Sequence, residues 1–181
     1  MIYIVTALKP EAQAFVEYFK LKKSKLDSYT LFSNETITLI ISHIGVENSR
    51  RATQTLINHY DISDLDTYFN IGICAASKRY EIGELIECGS ILYKGIKYSF
   101  NKEYPLISSL DQEAESQCYE IVDMESYGFY DAVVHNPAIK QFHILKVVSD
   151  HFEPKSVTKE LTKSLLFNAI KMHIAHKFER I

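Results

Sequence analysis

The sequence lacks the signatures of several large protein classes. It has no long basic run, and its formal charge is −3, so no general affinity for nucleic acid is expected. No apolar segment approaches the ~18 residues that cross a bilayer, and no membrane partner is expected. The opening MIYIVTALKPE has neither the basic lead nor the small-residue cleavage site of a secretory signal. Its three cysteines, Cys74, Cys88 and Cys118, are odd in number and form no CxxC pair. Free thiols and a cytoplasmic location are the simplest expectation. The seven histidines make no metal motif. His173 and His176 share a helical face, but no nearby acidic or cysteine ligand completes a set, so a solvated face is expected and no metal. There is no GxGxxG and no Walker loop, only a lone Gly72, and no cofactor is expected. Without internal repeat or linker, the 181 residues are expected to form a single domain, 1–181, large enough for a substantial core.

What is there alternates between strand and helix. Met1–Ala7 is short, apolar and β-branched, the pattern of a buried strand. Pro10 suits the first turn of a helix, and Ala12, Phe15, Val16 and Phe19 follow as one apolar stripe. Lys22–Asp27 reads as a charged turn. Tyr29–Phe32 and Ile37–Ile44 read as a hairpin, then a helix from about Asn48 to Tyr60 with Ala52, Leu56, Ile57 and Tyr60 inward. Thr67–Cys74 is another buried strand, and Glu84–Lys94 reads as a strand pair punctuated by Gly83 and Gly89. Lys97–Glu120 is hardest to read: a short strand at Leu106–Leu110, then an acidic loop over Asp111–Glu120. Ile121–Asp123 is a short strand, and Met124-Glu125 opens a helix to about His135. Gln141–Ser149 is a strand buried on both faces. A last helix runs from Thr158, a plausible N-cap, to about Lys177. The hairpin argues against a purely parallel sheet. The expected class is a three-layer α/β/α fold with a central mixed β-sheet.

Three carboxylates fall at strand ends: Glu11, Glu125 and Asp150. Each has an ordinary structural reading as well. Glu11 suits the first turn of a helix as a dipole partner, and Ser149-Asp150 are common turn residues. In open α/β sheets, however, ligands bind outside the carboxyl ends of the strands, where such residues converge. Separate carboxyl groups can divide acid and base duties, as N-glycosidic cleavage requires. An acid protonates the departing base, a carboxylate activates water, and another holds the sugar hydroxyls.

Several motifs together carry a resemblance. IVTALKPEAQAF, SHIGVENSRRA, NIGICAAS with EIGELIECGSI, VDMESYGFYDA and VVSDHFEP follow in the order of the nucleoside phosphorylase superfamily. The chain most resembles the methylthioadenosine/adenosylhomocysteine nucleosidase branch, over most of its length except about Ile91–Glu120. The resemblance implies that Glu11 activates water, that Met124 packs on the ribose and Glu125 binds its hydroxyls, and that Asp150 assists the purine leaving group with Ser149 beside it. Ile44 and Ile73 are the further substrate-binding positions. It also implies a homo-oligomer, dimer or larger, in which a neighbouring subunit helps complete the 5′ pocket.

Departures from the pattern are specific. Asn70 and Ile73 stand where phosphorylases place an arginine and a serine for phosphate. Ile73, Cys74, Ala75 and Ala76 make a more apolar wall than usual, and Glu84 replaces an aspartate. The chain is shorter than typical members, between Ser90 and Ile121. The expected function is therefore a purine nucleosidase that hydrolyses the N-glycosidic bond of a nucleoside or 5′-modified nucleoside. The alternatives are a phosphate-dependent phosphorylase and a nucleoside-binding protein without catalysis.

Overall fold

A computed structural model describes residues 1–114 and 118–180. Strand β1 (Ile2–Thr6) leads into α1 (Lys9–Phe19); β2 (Lys22–Leu26), β3 (Tyr29–Ser33) and β4 (Ile37–Ile41) follow, then α2 (Val46–His59). The long β5 (Thr67–Ala76) is succeeded by β6 (Leu85–Glu87), β7 (Ser90–Tyr93), β8 (Ile96–Ser99), β9 (Leu106–Ser109) and β10 (Ile121–Asp123). Helix α3 (Ser126–Val134), strand β11 (Gln141–Asp150) and α4 (Lys159–Ala169) complete the chain, with α4 continuing through a π-helical turn, Ile170–Ile174, into Ala175–Phe178.

The sheet is mixed. Strands β4, β1, β5 and β11 run parallel, so their carboxyl ends share one edge. The β2–β3–β4 meander is antiparallel, as is β6 against β11. Strand β5 is the branch point: its first half lies between β1 and β11, and its last two residues pair with β10.

Alternation along the central strands builds two cores. Ile2 and Ile4 of β1, Phe69 and Ile71 of β5, and Leu145 and Val147 of β11 face α1 and α4. Tyr3, Val5, Tyr68, Ile144 and Val148 face α2 and α3. Successive side chains of a strand point to opposite faces, so apolar runs of this kind require a helix layer on each side. Each fully buried aliphatic or aromatic side chain contributes about 1.5–3 kcal/mol relative to exposure. The three-layer expectation holds.

Three local readings are corrected. Lys22–Leu26 is a strand rather than a turn: its exposed lysines suit an edge strand, and its order comes from backbone pairing with β3. Strand β8 was not expected; it too lies at a sheet edge, with most of its side chains exposed. β6 and β7 do not pair with each other; β6 joins β11, and β7 lies between β8 and β9. The expected loop over Asp111–Glu120 includes residues 115–117, outside those described. The last helix begins as expected, with the Thr158 hydroxyl accepting the Leu161 N–H at 3.1 Å, and its His173 and His176 are exposed.

Helices α2 and α3 pack closely because α3 contains Gly128. A Cβ there would lie 1.8 Å from the Val46 carbonyl oxygen, a backbone atom that cannot turn aside. Gly128→Ala is expected to lower stability by at least the ~1–3 kcal/mol typical of overpacking. Gly95→Ala, with nothing within 4 Å but a φ of +80°, should lose only the ~1–2 kcal/mol of a left-handed non-glycine residue. Urea unfolding midpoints of the two variants test this ranking.

Candidate active site

The parallel strands and their junctions deliver side chains to one cavity of about 250 Å³. Its lining includes all seven residues singled out from the sequence: Glu11, Ile44, Ile73, Met124, Glu125, Ser149 and Asp150. It also includes Asp123 and the loop residues Leu110, Gln112, Glu113 and Ala114.

Glu11 sits in the first turn of α1. One carboxylate oxygen, Oε2, accepts the backbone N–H groups of Ala7 (2.9 Å) and Leu8 (2.8 Å). The other, Oε1, accepts that of Ile73 on β5 (3.0 Å). Glu11 is therefore both the helix-start partner its position suggests and a wall of the cavity. Gly72 makes room for it, since a Cβ there would come within 2.8 Å of Oε1. Burial pushes the Glu11 carboxyl up, against the three N–H donors and Lys146, which favour the charged form.

Glu125 immediately precedes α3, and its Oε1 accepts the Gly45 N–H at 3.0 Å. Gly45 opens α2, so the carboxylate meets a helix N-terminus, where backbone N–H groups favour negative charge. Burial nevertheless pushes its carboxyl up to about 7, with Asp123 and Glu11 adding to the rise and Lys146 opposing it.

Ser149 and Asp150 end β11 at a register irregularity. Val148 pairs with Cys74 and Asp150 with Ala75, leaving Ser149 as an extra residue. Such a bulge re-aims side chains at a strand end. Asp150 is held on both oxygens: Oδ1 accepts the Ser149 hydroxyl (2.7 Å) and Oδ2 the Glu153 N–H (2.8 Å). The Ser149 hydroxyl has a second acceptor, the Cys74 carbonyl oxygen at 3.1 Å. It can therefore turn away and leave Oδ1 to another partner.

Sequence reading missed the charge beneath these groups. Lys146 is 1% exposed in the middle of β11, and its Nζ lies 2.7 Å from Asp123 Oδ2. That same oxygen accepts the Ser126 N–H (2.9 Å) and Ser126 hydroxyl (2.6 Å), fixing the turn that presents Met124 and Glu125. Burial alone would lower the Lys146 ammonium, but Asp123, Glu125 and Glu11 together raise it. The available signal was one lysine inside an otherwise apolar strand, because lysines are almost never fully buried unless paired. Asn70, by contrast, is buried with its amide on the Val5 carbonyl oxygen (3.2 Å), outside the cavity lining. Cys74 also borders the cavity, but burial pushes its thiol far up, which makes it a poor nucleophile. Among the described residues no group of three His, Cys, Asp or Glu is arranged to hold a metal ion.

No protein-family model matches the chain, and no curated protein does. Solved structures do match across its whole length. A 5′-methylthioadenosine/S-adenosylhomocysteine nucleosidase from Neisseria meningitidis, in complex with methylthio-immucillin-A, superposes with a TM-score of 0.79 at 17% identity, covering 99% of both chains. Futalosine hydrolase of Helicobacter pylori strain 26695 superposes at 0.80 and 15% identity, over 98% of this chain and 97% of that one. A 5′-methylthioadenosine/S-adenosylhomocysteine nucleosidase from S. pneumoniae, with a transition-state inhibitor, gives 0.75 at 15% identity over 94% and 95%. The chain has the α/β fold of these nucleosidases, a mixed central sheet with helices on both faces.

The Glu125 carboxyl has a consequence for stability. Between its ordinary 4.5 and about 7, folded Glu125 keeps a proton that the unfolded chain releases. Its burial therefore costs stability progressively as pH rises through that window, and a constant amount above it. Glu125→Gln removes this dependence while keeping an acceptor for the Gly45 N–H. The variant should gain stability relative to wild type from pH 5 to 7.5, with the difference level above about pH 8. Denaturation midpoints across that range are the measurement.

Proposed function

We propose that the protein is a purine nucleosidase, which hydrolyses the N-glycosidic bond of a nucleoside or 5′-modified nucleoside to free base and sugar. The observation that carries this reading is the convergence of Glu11, Glu125 and Asp150 on one cavity, each held by different backbone partners. Nucleosidases and a futalosine hydrolase sharing the fold support it.

Each group suits a distinct duty. Glu125, with Met124 beside it, binds the ribose hydroxyls. Asp150 protonates the purine, which would otherwise leave as a strongly basic anion. The proton is delivered from Oδ1 when the Ser149 hydroxyl turns to the Cys74 carbonyl oxygen. Glu11 Oε1 takes a proton from the attacking water as positive charge builds on the sugar. The three backbone N–H bonds hold that carboxylate in place before reaction, so little reorganisation accompanies the charge change. Ile44 and Ile73 supply apolar contact at the cavity's edge and wall.

Phosphorolysis is less well served. Asn70 is turned to the Val5 carbonyl, Ile73 is apolar, and no cationic side chain lies among the described lining residues. Phosphate is accordingly expected not to accelerate base release. The check is initial rate against phosphate at fixed ionic strength; saturable activation with ribose 1-phosphate formed would make the protein a phosphorylase.

The decisive experiment is a screen of adenosine, inosine and methylthioadenosine for base release, followed by Asp150→Asn on the best substrate. The amide keeps the size but cannot deliver the proton. The rate should fall about 10²-fold or more, the usual scale of a general acid, while nucleoside binding weakens far less. Release at nearly the wild-type rate would place the acid elsewhere. Binding with no release from any nucleoside would leave a binding protein.

A further inference from the structure

A second cavity, of about 360 Å³, lies at the start of β11. Gln141, which lines it, is roughly 30 Å along the strand from Asp150, at about 3.3 Å per residue. One wall is the loop after β8, folded back onto Gly89. The Gly89 N–H donates to the Pro105 carbonyl oxygen (2.9 Å), and the Gly89 carbonyl oxygen accepts the Phe100 and Asn101 N–H groups (3.0 and 2.9 Å). A Cβ at Gly89 would lie 2.1 Å from the Asn101 carbonyl oxygen, so the loop closes only on glycine. Phe100, Tyr104 and Phe142 give the cavity aromatic walls, with the Phe100 and Phe142 rings 5.2 Å apart. The polar groups have donors to spare. The one carboxylate in the lining, Glu87, is already engaged: its Oε1 meets His143 Nδ1 at 2.7 Å, and both oxygens accept from Lys177 Nζ (3.0 and 2.9 Å). Burial raises the Glu87 carboxyl, but these two partners outweigh it and hold it below the usual carboxylate range. Asn101 and Gln141 each have the amide oxygen occupied, by the Glu103 N–H (2.9 Å) and the Thr67 hydroxyl (3.4 Å), which leaves their amide N–H groups to a ligand. Lys140 is exposed and gives one N–H to the Pro137 carbonyl oxygen (2.8 Å), keeping the others. The backbone adds a further donor. Ile144 turns its carbonyl oxygen to the Cys88 N–H at 2.9 Å, just beyond the end of the β6 pairing. Strand residues alternate in direction, so Phe142 turns its N–H and carbonyl oxygen to the same side, where no strand among the described residues pairs with it.

We propose that this second cavity is a binding site for a small planar aromatic acid, a ring that carries a carboxylate or a phosphate. The ring lies against Tyr104 and Phe142, and the acid meets Lys140 and the amides of Asn101 and Gln141. An anion leaving water must regain its hydrogen bonds, and those from an ammonium group are the stronger kind. A cationic ligand finds no such reward, because the charge of Glu87 is already met by Lys177. A ring without an acid fills the aromatic walls but leaves the donors unpaired. A hydroxyl or amino group on the ring can pair with the open Phe142 backbone. The site shares no lining residue with the cavity of Glu11, Glu125 and Asp150, so the proposal does not depend on the nucleosidase reading.

The test is titration of the protein with 4-hydroxybenzoate, adenosine 5′-monophosphate and phenol at fixed ionic strength, following assigned backbone amides by NMR. At least one of the two acids should shift the amides of residues 100–104 and 140–143, and the tighter of the two shows whether carboxylate or phosphate is the preferred anion. Phenol should bind more weakly than 4-hydroxybenzoate. Two exposed side chains allow variants that leave the core intact. Lys140→Glu should weaken the acid about 5-fold or more, the effect of reversing one solvent-exposed charge ~7 Å away, and leave phenol unchanged. Tyr104→Ala should weaken acid and phenol alike, by ~2–10-fold for a lost aromatic contact. If neither acid shifts those amides, or if adenosine 5′-monophosphate shifts only the surroundings of Ile73, Met124 and Glu125, the proposal is overturned. Phenol binding as tightly as 4-hydroxybenzoate, or Lys140→Glu binding the acid as wild type does, overturns the assignment of an anion. The screen for base release decides the nucleosidase reading separately in every case.

Discussion

The buried ion pair between Lys146 and Asp123 is the constraint on which the site depends. Taking two charges out of water costs several kcal/mol per ion, repaid only with close geometry and further hydrogen bonds. Both conditions are met: the pair is 2.7 Å apart, and the same Asp123 oxygen takes the Ser126 N–H and hydroxyl. The pair thereby ties β11 to the turn before α3. Its cation also lies beneath Glu11 and Glu125, where it partly offsets the rise that burial imposes on both carboxyls. A neutral residue at position 146 would leave three neighbouring carboxyl groups to compete for protons with no counterion below them.

The other three buried carboxyl groups are held mainly by backbone N–H groups, with the Ser149 hydroxyl added at Asp150. Glu11 takes N–H groups from Ala7, Leu8 and Ile73, Glu125 that of Gly45, and Asp150 that of Glu153. Donors of this kind are available because parallel strands end together and hand over to helices, whose first N–H groups have no partner within the helix. The fold thus supplies both the position and the hydrogen bonds of the site. Gly72 and the extra residue at Ser149 are the local adjustments: one lets the Glu11 carboxylate lie against β5, and the other turns the end of β11 toward it.

Much of this was legible in the sequence, for identifiable reasons. Central strands such as Thr67–Cys74 and Gln141–Ser149 are largely apolar on both faces, so their composition alone marks them as covered by two layers. Strand-end residues then fall at the edge that holds the cavity by topology, which is why Glu11, Glu125 and Asp150 could be named before their distances were known. The edges were less legible. β2 carries exposed lysines and β8 is largely exposed, so neither shows a core-facing pattern, and only pairing with a neighbour reveals a strand. Lys146 escaped notice because the signal of a buried strand comes from its majority. A single paired charge within it is visible only when Asp123, distant in sequence, is brought alongside.

On the nucleosidase reading, a lining whose only charged side chains among the described residues are carboxyl groups bears on two steps at once. Cleavage of the glycosidic bond draws positive charge onto the sugar, and the Glu11 carboxylate, held in place before reaction, stabilises that charge where it develops. The same field raises the energy of an anionic nucleophile entering the cavity, but acts little on neutral water. Phosphorolysis on this fold would need a cation to admit phosphate, and that cation would oppose the charge forming on the sugar unless held close to the anion. Lys146 does not fill that role, because Asp123 already occupies it and the cavity lining excludes it. On that reading a preference for water would follow from the lack of a cation among the described lining residues, with no dedicated device for excluding phosphate.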